Sequence, residues 1–163
     1  MKAIIDLGTN TFHLLIAEVR NGLINEYFKL QIPVKLGKGG IGDNLITEDA
    51  FKRGLTALSE FRKYIDQFEI KEVHAFATSA VRSAKNGDEF IFKAKKYYQI
   101  EINAICGDDE AALIYEGVKH SFNLPEENIL VMDIGGGSVE FIIGQKEDIF
   151  WKHSFNIGAA RLV

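Results

Sequence analysis

Asp6-Leu7-Gly8-Thr9-Asn10-Thr11, near the start of the chain, and Asp133-Ile134-Gly135-Gly136-Gly137-Ser138, near its end, share almost the same local sequence. Each follows a short apolar run (3–5 and 129–132) and leads into another (12–17 and 139–143). The order is strand, acidic residue, glycine turn, hydroxyl residue, strand. Such a turn can hold a phosphate on its backbone N–H groups, and the acid beside it stands where a metal ion would be useful. Two copies point to a chain that grips a phosphoanhydride from two sides.

Outward from the first copy, strands are expected at 2–6, 11–20 and 23–34. Asn21-Gly22 is a hairpin turn signal between the last two. A glycine-rich stretch at 36–43 follows and reads as a flexible connection, with Lys35 and Lys38 as electrostatic guides; it matches neither the P-loop nor the Rossmann pattern. Thr47 is the expected N-cap of an amphipathic helix over 48–68, in which Phe51, Leu55, Leu58, Phe61, Ile65 and Phe68 recur at helical spacing. The pattern then predicts a strand at 72–77, a helix at 87–98, a strand at 100–105 and a helix at 108–122. A second strand meander is expected at 128–133, 138–144 and 148–155. Three paired strands followed by alternating helices and strands is the layout of an α/β, ribonuclease-H-like fold, a mixed sheet with flanking helices. The second meander reads as the start of the same pattern, stopping before its helices. A sheet ending there would expose an edge, so the expectation is a truncated protein or one completed by a partner.

Composition bounds the partners. The 163 residues suffice for one domain with a real core and hardly for two. An apolar fraction of 47% and a charged fraction of 26% are ordinary for a globular protein. A net charge of -4 argues against DNA or a membrane surface as the partner. The single Cys106 excludes an internal disulfide and fits a reducing cytoplasm. No signal peptide is read at the start, and no apolar run approaches the roughly 18 residues that span a bilayer.

Each chemistry-bearing motif has a plainer reading beside the functional one. Gly8-Thr9-Asn10-Thr11 after Asp6 is a phosphate-holding turn or a hairpin whose Asp and Asn cap their own backbone. Gly135-Gly136-Gly137-Ser138 after Asp133 is harder to explain as a hairpin, because three consecutive glycines cost conformational entropy. Alternation puts Ser138, Glu140 and Ile142 on one face. Glu140 is then either a carboxylate in reach of a metal-bound water or an exposed strand position. Asp108, Asp109 and Glu110 suit a helix dipole, and an ionised Glu110 also suits a general base. Thr78, Ser79 and Arg82, just past a strand end, suit an oxyanion, or are an N-cap and a surface arginine. His13, His74, His120 and His153 are scattered, which disfavours zinc; carboxylates and phosphate oxygens favour Mg²⁺.

Taken together the chain resembles the exopolyphosphatase / guanosine pentaphosphate phosphohydrolase (Ppx/GppA) family of the actin-like ATPase superfamily. The resemblance rests on five stretches in order: 6–13, 77–82, 107–111, Gly117-Val118 and 132–140. It implies two ribonuclease-H-like domains, residues 1–125 forming the first and 126–163 only the opening strands of the second, with the site in the cleft between domains. It also implies Mg²⁺-dependent removal of terminal phosphate from polyphosphate or guanosine pentaphosphate. By motif, Glu110 would activate water and Arg82 would hold the departing phosphoryl group. Asp133 and Glu140 would place the metal and the water, with Asp6 as a third acid. Gly8, Thr9, Asn10 and the 135–138 turn would cradle phosphate oxygens. Asp109 stands where family members often have a second glutamate. The alternatives are a sugar-kinase-like phosphotransferase, against which the Thr9-Asn10-Thr11 turn and the Glu110 helix count, and a non-catalytic sensor of guanosine tetra- or pentaphosphate. A homodimer through the open sheet edge, or a missing second domain, is the expected completion.

Overall fold

The computed structural model describes residues 1–162, which form two compact units, Met1–Ala104 and a second from Ile105 onward. The first unit holds β1 (Lys2–Leu7), β2 (Phe12–Arg20), β3 (Leu23–Ile32), β4 (Val73–Ala77) and β5 (Ile102–Ala104), in the order β3-β2-β1-β4-β5. The first three are an antiparallel meander, and β4 and β5 are added in parallel beside β1. Asn21 (φ 53°) and Gly22 (φ 77°) both adopt positive φ, as a two-residue type I′ hairpin turn requires. Alternation sends Ala3, Ile5 and Leu7 of β1, and Phe12, Leu14 and Ile16 of β2, into one core with Leu58, Phe61 and Ile65 of α1 (Glu48–Gln67) and Phe90 and Ala94 of α3 (Gly87–Tyr98). Each large apolar side chain buried there contributes about 1.5–3 kcal/mol. Thr47 caps α1 as expected, its hydroxyl accepting from the Ala50 N–H.

Two expectations change. The strand expected over 100–105 pairs only at Ile102–Ala104, because Ile100 is spent on ending α3: Gln99 turns left-handed (φ 54°) and the Ile100 N–H donates back to Ala94 O. The glycine-rich 36–43 stretch is a packed loop, not a loose connection. Leu36 and Ile41 are buried, and the Arg53 guanidinium on α1 donates to the carbonyls of Val34 (2.7 Å) and Lys35 (3.0 Å). Lys35 and Lys38 remain exposed.

The second unit has α4 (Gly107–Ser121) and a three-stranded antiparallel sheet of β6 (Ile129–Ile134), β7 (Val139–Gln145) and β8 (Asp148–Phe155), β7 central. Ala111 and Tyr115 of α4 pack on Ile142 of β7, with Ile129 and Val131 around them. Lys119 of α4 also pairs with Glu147 in the β7–β8 turn at 2.7 Å. By packing, therefore, α4 belongs with the second sheet and the compact units divide at Ala104, whereas the boundary expected near residue 125 follows chain order in the family pattern.

The register of the first meander recurs in the second. Leu7↔Phe12, Asp6↔His13 and Ile5↔Leu14 correspond to Ile134↔Val139, Asp133↔Glu140 and Met132↔Phe141. The covered face of the first copy is open in the second: Leu130, Met132 and Ile134 are 53–63% exposed where Ala3, Ile5 and Leu7 are fully buried.

Candidate functional site

Both glycine turns are built the same way. Gly8 N–H donates to Thr11 O at 3.1 Å, and Gly135 N–H to Ser138 O at 3.0 Å. A Cβ at Gly8 or Gly135 would lie 2.9 or 3.0 Å from that same carbonyl oxygen, so glycine is needed for the closure itself. The N–H groups of Gly8 and Gly135 are thus used inside the turn.

The donors left to a ligand follow from where the turn carbonyls go. In the first copy Asn10 O accepts from Lys35 N–H (2.7 Å) and Thr9 O from Gly37 N–H (3.1 Å). In the second, Gly135 O accepts from Ala159 N–H (3.0 Å), Gly136 O from Ala160 N–H (2.7 Å), and Gly137 O from Arg161 Nε (2.8 Å). In a planar trans peptide the C=O of one residue and the N–H of the next point in opposite directions. Tying these carbonyls to the segment that returns after the third strand therefore turns the N–H groups of Asn10, Thr11, Gly136, Gly137 and Ser138 the other way. Successive backbone donors of this kind suit an anion. Thr9 takes a different part: it is 4% exposed, and its methyl would lie 2.7 Å from a Cβ at Gly37, so its side chain anchors the return loop.

The acids are placed by register. Asp133 and Glu140 are direct partners across β6 and β7, which puts both carboxylates on the sheet face that α4 covers. Glu140 is 1% exposed, which overturns its reading as an exposed strand position. Its Oε1 accepts from the Ser154 hydroxyl on β8 at 2.6 Å. Asp133 is exposed. In the first unit Asp6 is exposed on β1, with His13 as its register partner. Among the described residues no group of three or more His, Cys, Asp and Glu side chains stands close enough to hold an ion. Mg²⁺ typically takes one or two carboxylates and completes its shell with water and other oxygens, so the Asp133–Glu140 pair is a donor set that would suit that ion.

The remaining predicted residues sit in or beside two helices. Ser79 and Arg82 begin and end the four-residue helix α2 (Ser79–Arg82), and Thr78 precedes it without making a side-chain capping bond. The Ser79 hydroxyl, 1% exposed, has no hydrogen-bond partner, a cost of about 1–3 kcal/mol that the fold carries at this point. Arg82 is half-buried. Glu110 lies half-buried in the first turn of α4, whose N-cap is Cys106, its Sγ accepting from Asp109 N–H at 3.3 Å. Three neighbours of the site went unread in the sequence: Ser154, Gly158 and Arg161. Gly158 has the clearest signal in retrospect, a glycine just after the last strand, where a return segment has to meet the turn.

Two copies of a meander, each carrying an acid and a glycine turn whose carbonyls are tied back, define an α/β protein with the ribonuclease-H-like, actin-like fold. The chain matches the model of the Ppx/GppA phosphatase family over residues 15–163 and belongs to that family. It is similar to a crystal structure of an exopolyphosphatase from Cytophaga hutchinsonii, with 46% identity and a TM-score of 0.96 over 99% of this chain and 52% of that one. A Ppx/GppA family member from Aquifex aeolicus aligns with 30% identity and a TM-score of 0.82, again over 99% and 52%. A bifunctional 3-dehydroquinate synthase/phosphatase of Fusobacterium nucleatum is 44% identical over 170 residues, 99% of this chain and 26% of that protein. The chain thus spans about half the length of the solved structures it matches and about a quarter of the Fusobacterium protein. No helix among the described residues is long and apolar enough to cross a membrane.

Proposed function

We propose that the protein is a phosphoanhydride hydrolase that releases terminal phosphate from inorganic polyphosphate or guanosine pentaphosphate, and that this chain supplies its two phosphate-holding turns. One observation carries the reading: in both turns the carbonyls are bound by the return segment, so the N–H groups that follow them point away from it in each copy. Phosphoryl transfer asks a protein mostly for positioning and charge stabilisation. The N–H groups of Asn10, Thr11, Gly136, Gly137 and Ser138 bind phosphate oxygens, with Thr78 and Ser79 as added hydroxyls. Arg82 neutralises the phosphoryl group that departs. Glu110 takes the proton from the attacking water. Asp133 and Glu140 would hold Mg²⁺, with Asp6 as a further acid, and the ion would supply charge neutralisation at the phosphate oxygens. In this reading residues 1–125 are the first ribonuclease-H-like domain and 126–163 the start of the second, and the protein works in the cytoplasm.

Phosphate release with Mg²⁺, measured in parallel on polyphosphate and guanosine pentaphosphate, tests the reading and names the substrate. Release from either supports it. Tight guanosine pentaphosphate binding without release, in the longest native form of the protein, would replace it with a sensor.

The apolar face of β6–β8 belongs to the same reading: the remainder of the second domain covers it, and the chain alone self-associates through it. Contiguous exposed apolar surface of this kind marks an interaction site. Sedimentation velocity on the 163-residue chain is expected to show a dimer. A monomer at every accessible concentration would reject self-association.

A further inference from the structure

Glu140 stands in a row of three across the second sheet: Asp133 on β6, Glu140 on β7 and Ser154 on β8, all register partners and all on one face. A carboxylate buried this deeply needs a donor, since an unpaired buried charge is expensive. The Ser154 hydroxyl is that donor, and its 2.6 Å contact falls in the short range of an O–H group bound to a charged oxygen. Ser154 takes Oε1 from the β8 side. Oε2 is the second oxygen, and the register partner of Glu140 on the other side is Asp133 of β6.

The first copy shows that the fold does not require this arrangement. The equivalent row there is Asp6, His13 and Gln31, again across three strands in register. The acid at the head of the row recurs, but the carboxylate–hydroxyl pair does not. A purely architectural pair would have no reason to differ between two meanders of the same register.

We propose that Ser154 is a positioning residue: its hydroxyl holds the Glu140 carboxylate in the one orientation that offers Oε2 beside Asp133 to a divalent cation. This rests on the assignment of Asp133 and Glu140 as cation ligands. Groups that hydrogen-bond a ligating carboxylate fix its orientation, and their loss typically lowers metal affinity about 10- to 100-fold.

The test compares Ser154→Thr with Ser154→Val in the 163-residue chain. Both side chains have the same shape and both suit a strand, but only threonine keeps the hydroxyl. The probe is Mn²⁺ alone, followed by the electron paramagnetic resonance of the free ion. Ser154→Thr is expected to bind as the wild type does, and Ser154→Val about tenfold more weakly. Equal affinity in the two variants overturns the proposal. Glu140→Gln then separates the two ways of failing. If it loses Mn²⁺ while Ser154→Val does not, only the role of Ser154 falls. If it binds as the wild type does, or the wild type takes up no Mn²⁺, the ligand assignment falls and the proposal with it.

Discussion

Replacing Glu110 by glutamine is expected to lower Mg²⁺-dependent phosphate release by about 10²–10⁴-fold, the usual contribution of a positioned general base. Glutamine keeps the size and shape of the side chain and removes its negative charge, and with it the capacity to take a proton. The fold should tolerate the change. Glu110 lies in the first turn of α4, where losing one negative charge costs about 0.3–1 kcal/mol of helix-dipole stabilisation, and the Cys106 cap remains. Circular dichroism and the melting temperature should therefore stay close to wild type while turnover collapses. Asp109→Asn is the matched control. It removes the same charge one residue earlier, at a position whose acid the dipole alone explains, and should leave the rate nearly unchanged. The measurement is steady-state phosphate release by the longest native form of the protein, on both substrates. Turnover near wild type in Glu110→Gln would remove this residue from the base role; equal losses in both variants would mean that helix stability, not proton transfer, was being read.

Gly158→Ala should disable the second turn. The added Cβ would lie 2.5 Å from the carbonyl carbons of Gly136 and Gly137 and from the Gly137 nitrogen. All three are backbone atoms, so no side-chain rotation relieves the clash. Either the return segment lifts off and Gly135 O, Gly136 O and Gly137 O lose their partners, or the turn distorts. Overpacking of this kind costs about 1–3 kcal/mol, and the arrangement of the turn's N–H donors is lost with it. Urea denaturation should show the stability loss, and pyrophosphate binding followed by calorimetry should show the loss of the anion site. Gly117→Ala is the contrasting change, since nothing lies within 4 Å of its Cβ position on α4. Alanine there should gain up to about 1 kcal/mol from helix propensity. A Gly158→Ala protein as stable and as competent for anions as wild type would show that the return segment does not hold the turn in shape.

Much of this fold is legible in the chain because its signals are local. The hairpin at Asn21-Gly22 depends on two residues that accept positive φ. The apolar stripe of α1 and its Thr47 cap depend on spacing within one helix. The two acid–glycine turns are legible as a repeated string, and four of the five stretches that resemble the Ppx/GppA family, all but 6–13, lie within the residues 15–163 that match its model. The misread places are those where a distant segment decides. The 36–43 loop looks loose as a string of glycines, yet Arg53 of α1 pins the Val34 and Lys35 carbonyls at its entry and Leu36 is buried in the core. Glu140 looks like an ordinary strand carboxylate until α4 covers its face.

The partner of Glu140 marks the boundary between the two kinds of information. The sequence by itself determined that Glu140 lies on a strand after an acid–glycine turn, with a hairpin following it. Counting back from the Gln145↔Asp148 pair in a regular ladder would place His153 opposite Glu140. The ladder is not regular: a bulge between Ile143 and Gly144 moves the register by one, and Ser154 arrives there instead. Gly144 lies beneath Tyr115, whose hydroxyl oxygen would be 2.6 Å from a Cβ at that position. Only the tertiary structure decided this pairing. Side chains alternate faces along a strand, so a one-residue shift beside a packing contact changes which chemical group meets the buried carboxylate.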